Sequence, residues 1–481
     1  MRRKSPLLAC CCIFHLLGGN LQVAGSSDTD LRRHHATKNR LSVLLVTGFF
    51  PGHLYPITAL GEELVKRGHN VTLCATVMEG SDLLPALPES YGIKFVSAGF
   101  DNLTQADYDT TVKSGFQNAS LSDIWKFISI SQWTSIKIRS KIDELGVEQF
   151  DIIVSDGSVS GVSVYYSILG MRAMILSPLL VYLDATSGGP TPVCHSDGLC
   201  FLDRLANLFL SPLLRVFQET VLSGIVHLDE AYGRVLKGVD ITAYVGVRVP
   251  LLMATAFGFE YPKTQFPLTH YVGPLMMDSF SPLEDQLVEW LSSKPNRSVV
   301  YVGMGATGFI TADMAQLIID GILATDFSAV WALPMSDQAV LDGIDIETDR
   351  FYVSKWIPRQ TLFQHPTIVM TILHCGMNSV QESLYNGLPV VCIPHSFDHF
   401  EVAARIEYAK VGIPLYTMMD SLRKGKVFTS ESITNVIRSV TDTREYSEQA
   451  NKLRQVYLFA GGARRAADLV EFYAEVGYDH H

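Results

Sequence analysis

The sequence predicts an α/β protein made of two doubly wound domains, on three observations. Leu41 to Val46 is a buried-strand run. It passes through a Gly-Pro loop, Thr47 to His53, into the helix-spaced segment Ile57 to Arg67, and then into a second strand, Asn70 to Ala75. A start of the same kind recurs far along the chain, where the strand Ser298 to Val302 runs into a glycine turn, Gly303 to Gly308. Finally, 481 residues with 47% hydrophobic and 18% charged suffice to give each of two domains a full core.

Arg2, Arg3 and Lys4, the apolar run Leu7 to Leu17, and Val23-Ala24-Gly25 make residues 1–25 a secretory signal peptide. A retained signal anchor is the alternative, and the short apolar core favours cleavage. No later run of ~20 uncharged apolar residues follows, so no second span and no C-terminal membrane anchor are expected. The address read from this is the secretory pathway, either the endoplasmic reticulum lumen or the exterior. Of eight cysteines, Cys10, Cys11 and Cys12 leave with the signal. Cys194 and Cys200 are close enough in sequence to pair in an oxidising lumen, while Cys74, Cys375 and Cys392 fall in buried runs and read as packed thiols. No spacing suggests a metal site. Sequons at Asn70, Asn102, Asn118 and Asn296 make the chain a candidate glycoprotein.

Acidic residues outnumber basic ones, 49 to 38, which argues against a nucleic-acid partner. An acidic chain that binds an acidic nucleotide must hold it with local dipoles rather than a broad basic surface.

The first domain is set at 40–250. His53 lies in the loop after its first strand, at the edge where open parallel sheets bind ligands. Asp156 ends the strand Phe150 to Ser155, where helix capping is the ordinary reading of an acid. Leu179 to Gln218 is loop-rich and then strongly apolar; it suits the wall of an apolar pocket, a peripheral membrane contact, or plain core. Residues 251–274 read as a linker, 275–455 as the second domain, and 456–481 as a C-terminal helical segment.

The turn Gly303 to Gly308 has the G-x-G-x-x-G form of a dinucleotide fingerprint and argues for a rival class, an NAD-dependent oxidoreductase. That fingerprint expects an acid about 20 residues on, whereas the candidate at the next strand tip, Asp337, stands 29 beyond Gly308.

The densest chemistry runs from Trp356 to Ala404. Trp356 offers a flat face on which a base can stack. Ile368 to Leu373 is a buried strand, and His374-Cys375-Gly376 turns the chain into a helix from Asn378 to Asn386, which Gly387 ends. A strand feeding a helix through glycine is an anion site, because free N–H groups and the positive end of the helix dipole face the ligand. Asn378, Ser379 and His374 can add donors. Glu382, one turn after Asn378 on the same face, suits the two adjacent hydroxyls of a ribose. Asp398 and His399 follow the next strand, Val390 to Ile393, on the same rim.

In order and spacing this stretch resembles the signature box of the UDP-dependent glycosyltransferases that act on small lipophilic molecules, W-x-P-Q, H-x-G-x-N-S-x-x-E, G-x-P and D/E-Q. Trp356, Pro358, His374, Gly376, Asn378, Ser379, Glu382, Gly387, Pro389, Pro394 and Asp398 match it. The resemblance implies a GT-B arrangement, two facing doubly wound domains with the active site in the cleft, and a terminal helix that crosses back onto the first domain. It implies that Trp356 stacks on uracil with the Ile357 backbone at its edge, and that Glu382 takes the ribose. His374, Asn378 and Ser379 would take the diphosphate, with Gly305, Thr307 and Gly376 close to it, and Asp398 the sugar. It also makes His53, in G-H-L-Y-P and followed by R-G-H-N-V-T, the catalytic base, and Asp156 its orienting acid. The implied reaction is inverting, metal-independent hexosyl transfer from a UDP-sugar to a hydroxyl of a small lipophilic acceptor, with no cofactor. A non-catalytic nucleotide-sugar-binding protein is the further alternative. Arg359 stands where the family has Gln, His399 replaces the terminal Gln, Val402 replaces an Asn, and Ala306 stands where Ser is frequent. A His at the position of His399 is associated within the family with galactose use.

Overall fold

The computed structural model describes residues 40–48, 51–77, 83–99, 121–178, 229–237, 239, 244–261, 265–278, 281–305, 310–344, 346–395, 397–416 and 428–477. The signal segment 1–25, Cys194 and Cys200, the sequons at Asn102 and Asn118, the stretch 179–218 and Thr307 lie outside them.

Among the described residues there are two wholly parallel sheets, both within one compact unit, Lys38–His481. The first is ordered β3-β2-β1-β4-β5-β6-β7, with β1 Ser42–Thr47, β2 Asn70–Ala75, β3 Lys94–Ser97, β4 Ile152–Asp156, β5 Ala173–Ser177, β6 Leu251–Met253 and β7 Thr269–Tyr271. The second is ordered β10-β9-β8-β11-β12-β13, with β8 Val299–Gly303, β9 Ser328–Ala332, β10 Phe351–Ser354, β11 Ile368–Leu373, β12 Val390–Cys392 and β13 Gly412–Pro414. Each sheet reverses strand order once, between β1 and β4 and between β8 and β11. Ligands of doubly wound sheets sit at such switch points, beyond the carboxyl ends of the strands.

Helices cover both faces because a buried parallel strand is apolar on both sides. In the first half these are α1 Pro51–Lys66, α2 Leu83–Ser90, α3 Leu121–Leu145, α4 Ser160–Ile168 and α5 Glu230–Leu236. In the second they are α6 Asp285–Ser292, α7 Ala312–Leu323, α8 Arg359–Leu362, α9 Met377–Tyr385, α10 Phe397–Tyr408, α11 Ser430–Asp442 and α12 Glu445–Ala460, followed by α13 Gly462–Val476. Along β1, Val43 and Leu45 join one core layer with Leu54, Ile57 and Leu60 of α1, while Leu44 and Val46 join the other with Ile138 and Ile142 of α3.

The last helix, α13, leaves the second half and packs on the first sheet's α1 layer, adding Ala466, Leu469, Val470 and Tyr473 to that core. Arg67 clamps it, donating to Asp468 and Glu471 at 2.8 Å and to the Arg464 carbonyl at 2.9 Å. His69 accepts the Leu41 N–H on Nδ1, so its Nε2–H faces Glu471 at 2.8 Å. The Arg67-Gly68-His69 motif thus serves docking of the terminal helix.

Two sequence expectations need correction. Residues 251–274, expected to be a linker, contain β6 and β7, which extend the first sheet. Each has only three residues, too few to show a strand period. The loop expected up to His53 ends earlier, because α1 starts at Pro51, whose fixed φ suits a first helical position.

Candidate active site

The first switch point holds His53 and Asp156. His53 sits in the first turn of α1, directly after β1, and Asp156 ends β4 beside it. His53 Nδ1 lies 2.7 Å from Asp156 Oδ1, and the Asp side chain is fully buried. The same Oδ1 accepts the Ser158 N–H at 2.7 Å, so Asp156 caps a short 3-10 turn while it holds the imidazole. Burial alone would lower the His53 pKa. Asp156 outweighs it, with a smaller contribution from Asp398 across the cleft, and leaves the pKa above 6.5.

The second switch point is built around His374, at the end of β11. A Cβ at Gly305 would come within 2.3 Å of the His374 ring, and one at Gly376 within 2.4 Å. Both positions must be glycine to leave room for the imidazole. This gives the G-x-G turn a reason independent of any dinucleotide. Burial, then His399, His395 and Arg359, keeps His374 well below its ordinary pKa, so the ring is neutral near pH 7. The helix that follows, α9, has Gly376 as N-cap and no side-chain cap, so its first N–H groups remain for an anion.

Cys375 adopts φ +67°, in the region that disfavours side chains. Its side chain lies against that of Cys392 at the end of β12, with the Cα atoms 5.4 Å apart. These two residues were expected to be packed thiols. Both are buried, as expected, and lie against each other beneath the turn; residues 17 apart in sequence meet only through the fold. Cys74 is a buried free thiol.

Trp356 is 56% exposed, whereas Ile357 is buried. Arg359, in α8, forks Glu382: Nε is 2.7 Å from Oε2 and Nη2 is 3.1 Å from Oε1, while Nη1 donates to Ser379 Oγ at 2.8 Å. Burial raises the Glu382 carboxyl and Arg359 opposes it; Arg359 itself is held above its ordinary value by Glu382 against the cost of burial. Asp398, in the first turn of α10, is half-buried, and His399 is buried edge-on to His374, ring centroids 4.9 Å apart. His399 Nδ1 accepts the His395 N–H at 3.2 Å, so a neutral ring carries its proton on Nε2.

The two switch points meet. Pro56 lacks the N–H that would bond the Gly52 carbonyl four residues back. The Asn378 amide donates to that carbonyl from the other sheet. Tyr55, two residues after His53, is close enough to Arg359 and Glu382 for their charges to act on its hydroxyl, whose pKa burial raises. Gly52, Tyr55 and His395 were not among the expected site residues. The signal for Gly52 was a proline four residues on, directly before a helix-spaced run, and for His395 the H-x-x-x-H spacing with His399.

Comparison with known proteins bears on the whole arrangement. Mouse 2-hydroxyacylsphingosine 1-beta-galactosyltransferase is 24% identical over 422 residues, 85% of this chain and 74% of that protein. Human UDP-glucuronosyltransferase 2B28 is 25% identical over 447 residues, 85% and 79% of the two chains. The structure of Phytolacca americana UGT2 with UDP-2fluoro-glucose and pterostilbene superposes with a TM-score of 0.62 at 17% identity, over 90% of this chain and 99% of that one, and has the same GT-B fold. These matches do not favour the NAD-dependent reading. The family model for UDP-glucoronosyl and UDP-glucosyl transferase matches residues 189–458, more than half the sequence, and the chain belongs to that family of UDP-sugar-dependent glycosyltransferases.

Proposed function

We propose that the enzyme transfers a hexosyl group, with inversion, from UDP-galactose or UDP-glucose to a hydroxyl of a small lipophilic acceptor. The observation that carries this reading is the meeting of the two switch points: the His53–Asp156 pair and the uncapped start of α9 stand on either side of one contact, Asn378 to the Gly52 carbonyl.

Asp156 accepts from His53 Nδ1–H, which leaves Nε2 as the nitrogen that takes the acceptor's hydroxyl proton. The acceptor oxygen then bonds to the anomeric carbon as the bond from that carbon to the UDP oxygen breaks, and the electron pair leaves with UDP. Imidazolium forms beside a buried carboxylate, which stabilises it. The growing charge on the diphosphate meets the first N–H groups of α9, Asn378, Ser379 and His374, so no metal ion is required in this reading. Trp356 stacks on the uracil with Ile357 at its edge, and Asp398 takes sugar hydroxyls next to His53.

The lipophilic acceptor is supported by the name of the galactosyltransferase relatives, whose acceptor is a sphingosine derivative. Among the described residues no helix is long and apolar enough to cross a membrane. Asn70 and Asn296 are exposed enough for glycosylation, which a luminal address would make usable. The test is a panel of lipid and xenobiotic alcohols incubated with UDP-galactose, UDP-glucose and UDP-glucuronate and read by mass spectrometry. Glycosylated lipophilic product from a UDP-hexose is expected. UDP-sugar binding without any transfer would reject the catalytic reading.

A further inference from the structure

Arg359 and Glu382 belong to different elements, α8 and the middle of α9, and the fold closes them into one fork. The side chains are 26% and 14% exposed, so solvent screening does little to loosen the pair. Tyr55 from α1, Tyr301 from β8 and His374 from the end of β11 are further titratable groups coupled to the guanidinium. Its third arm donates to Ser379 Oγ, which turns that hydroxyl's own proton away from Arg359.

A lone carboxylate beside a nucleoside would grip adjacent hydroxyls with charge-assisted bonds, about twice as strong as neutral ones. Here Oε1 already accepts from Nη2 and Oε2 lies 2.7 Å from Nε, so a hydroxyl meets a neutralised pair. We infer that Arg359 sets how strongly this enzyme reads the sugar of its nucleotide: the ribose 2′-hydroxyl counts for little, and ribo- and deoxyribonucleoside diphosphates enter the donor site with similar affinity. The inference rests on the reading of Trp356 to Glu382 as the UDP site.

The measurement is calorimetric titration of the full chain with UDP and with dUDP at pH 7. Wild-type affinities should differ by less than about five-fold, and Arg359→Gln, which releases the carboxylate, should widen the ratio to about ten-fold or more in favour of UDP. A wild-type preference for UDP above about ten-fold, or a ratio that Arg359→Gln leaves unchanged, overturns the assignment. If Arg359→Gln does not fold, Glu382→Gln replaces it. The ratio should then stay within about two-fold of wild type, and a loss confined to UDP overturns the inference. Binding of neither nucleotide by the folded wild-type chain rejects the donor-site reading itself, and this inference with it.

Discussion

Asp156→Asn removes a charge while keeping a shape. Oδ1 of Asp156 accepts from both His53 Nδ1 and the Ser158 N–H at 2.7 Å, and Oδ2 is buried without a partner. An Asn whose carbonyl oxygen replaces Oδ1 preserves both bonds and puts its amide where no acceptor waits. That orphaned donor costs about 1–3 kcal/mol of stability, which leaves the fold in place. The larger effect falls on His53. Burial lowers its pKa, and Asp156 is the main group that overcomes burial. With the charge of Asp156 gone, burial acts on the imidazole unopposed by its main counterweight, and the His53 pKa moves down. A general base works as neutral imidazole, so wild-type kcat/KM should rise with pH through a pKa above 6.5. In the variant that limb should move to lower pH while the plateau falls by about 10²–10⁴-fold. The raised pKa also contributes stability that is fully present below pH 6.5 and lost as pH rises through the folded value. The stability gap between wild type and variant should therefore be widest on the acid side. Proton NMR titration of His53 and a pH–rate profile check both parts. An acid limb that stays in place, or moves up, refutes the coupling of His53 to Asp156.

His53→Ala should lower turnover by about 10²–10⁴-fold while UDP affinity, measured calorimetrically, holds; near-normal turnover would reject His53 as base. Trp356→Ala should weaken UDP by about 1–3 kcal/mol of lost stacking with an unchanged melting temperature, because the indole is exposed; unchanged UDP affinity in calorimetry would remove the stacking role. His399→Gln should shift the galactose-to-glucose ratio toward glucose by about 0.5–1.5 kcal/mol, since the imidazole presents a fixed N–H on Nε2 and an amide presents a donor and an acceptor. Equal ratios before and after substitution, in competition assays with both donors, would show that His399 does not read the sugar.

The elements that carry the site were legible because each is written locally. Ile368 to Leu373 is strand to the residue, and Gly387 follows α9 at φ +73° as a helix terminator. His53 and Asp156 stood out as polar residues at strand ends, and their pairing across 103 residues came from the resemblance rather than from any local pattern. Arg359 was visible as a departure from the family, but its grip on Glu382 was not. A carboxylate suited to a ribose looks the same in sequence whether or not a cation from another element reaches it. The same holds for the close approach of Cys375 and Cys392, and for β6 and β7, whose strand character comes from neighbours rather than from their own three residues. Nothing local to Glu471 and Asp468 marks a partner, and only the return of α13 gives them Arg67 and His69.

The proline in α1 has a consequence for alignment. An imino acid at position 56 leaves one carbonyl of the first helical turn over, and Asn378 of the opposite sheet takes it. That carbonyl belongs to the peptide unit linking Gly52 to His53. The anchor point of Asn378 and the Cα that carries the His53 side chain therefore share one rigid plane. A slip of one half past the other would break this contact beside the residue proposed as the base.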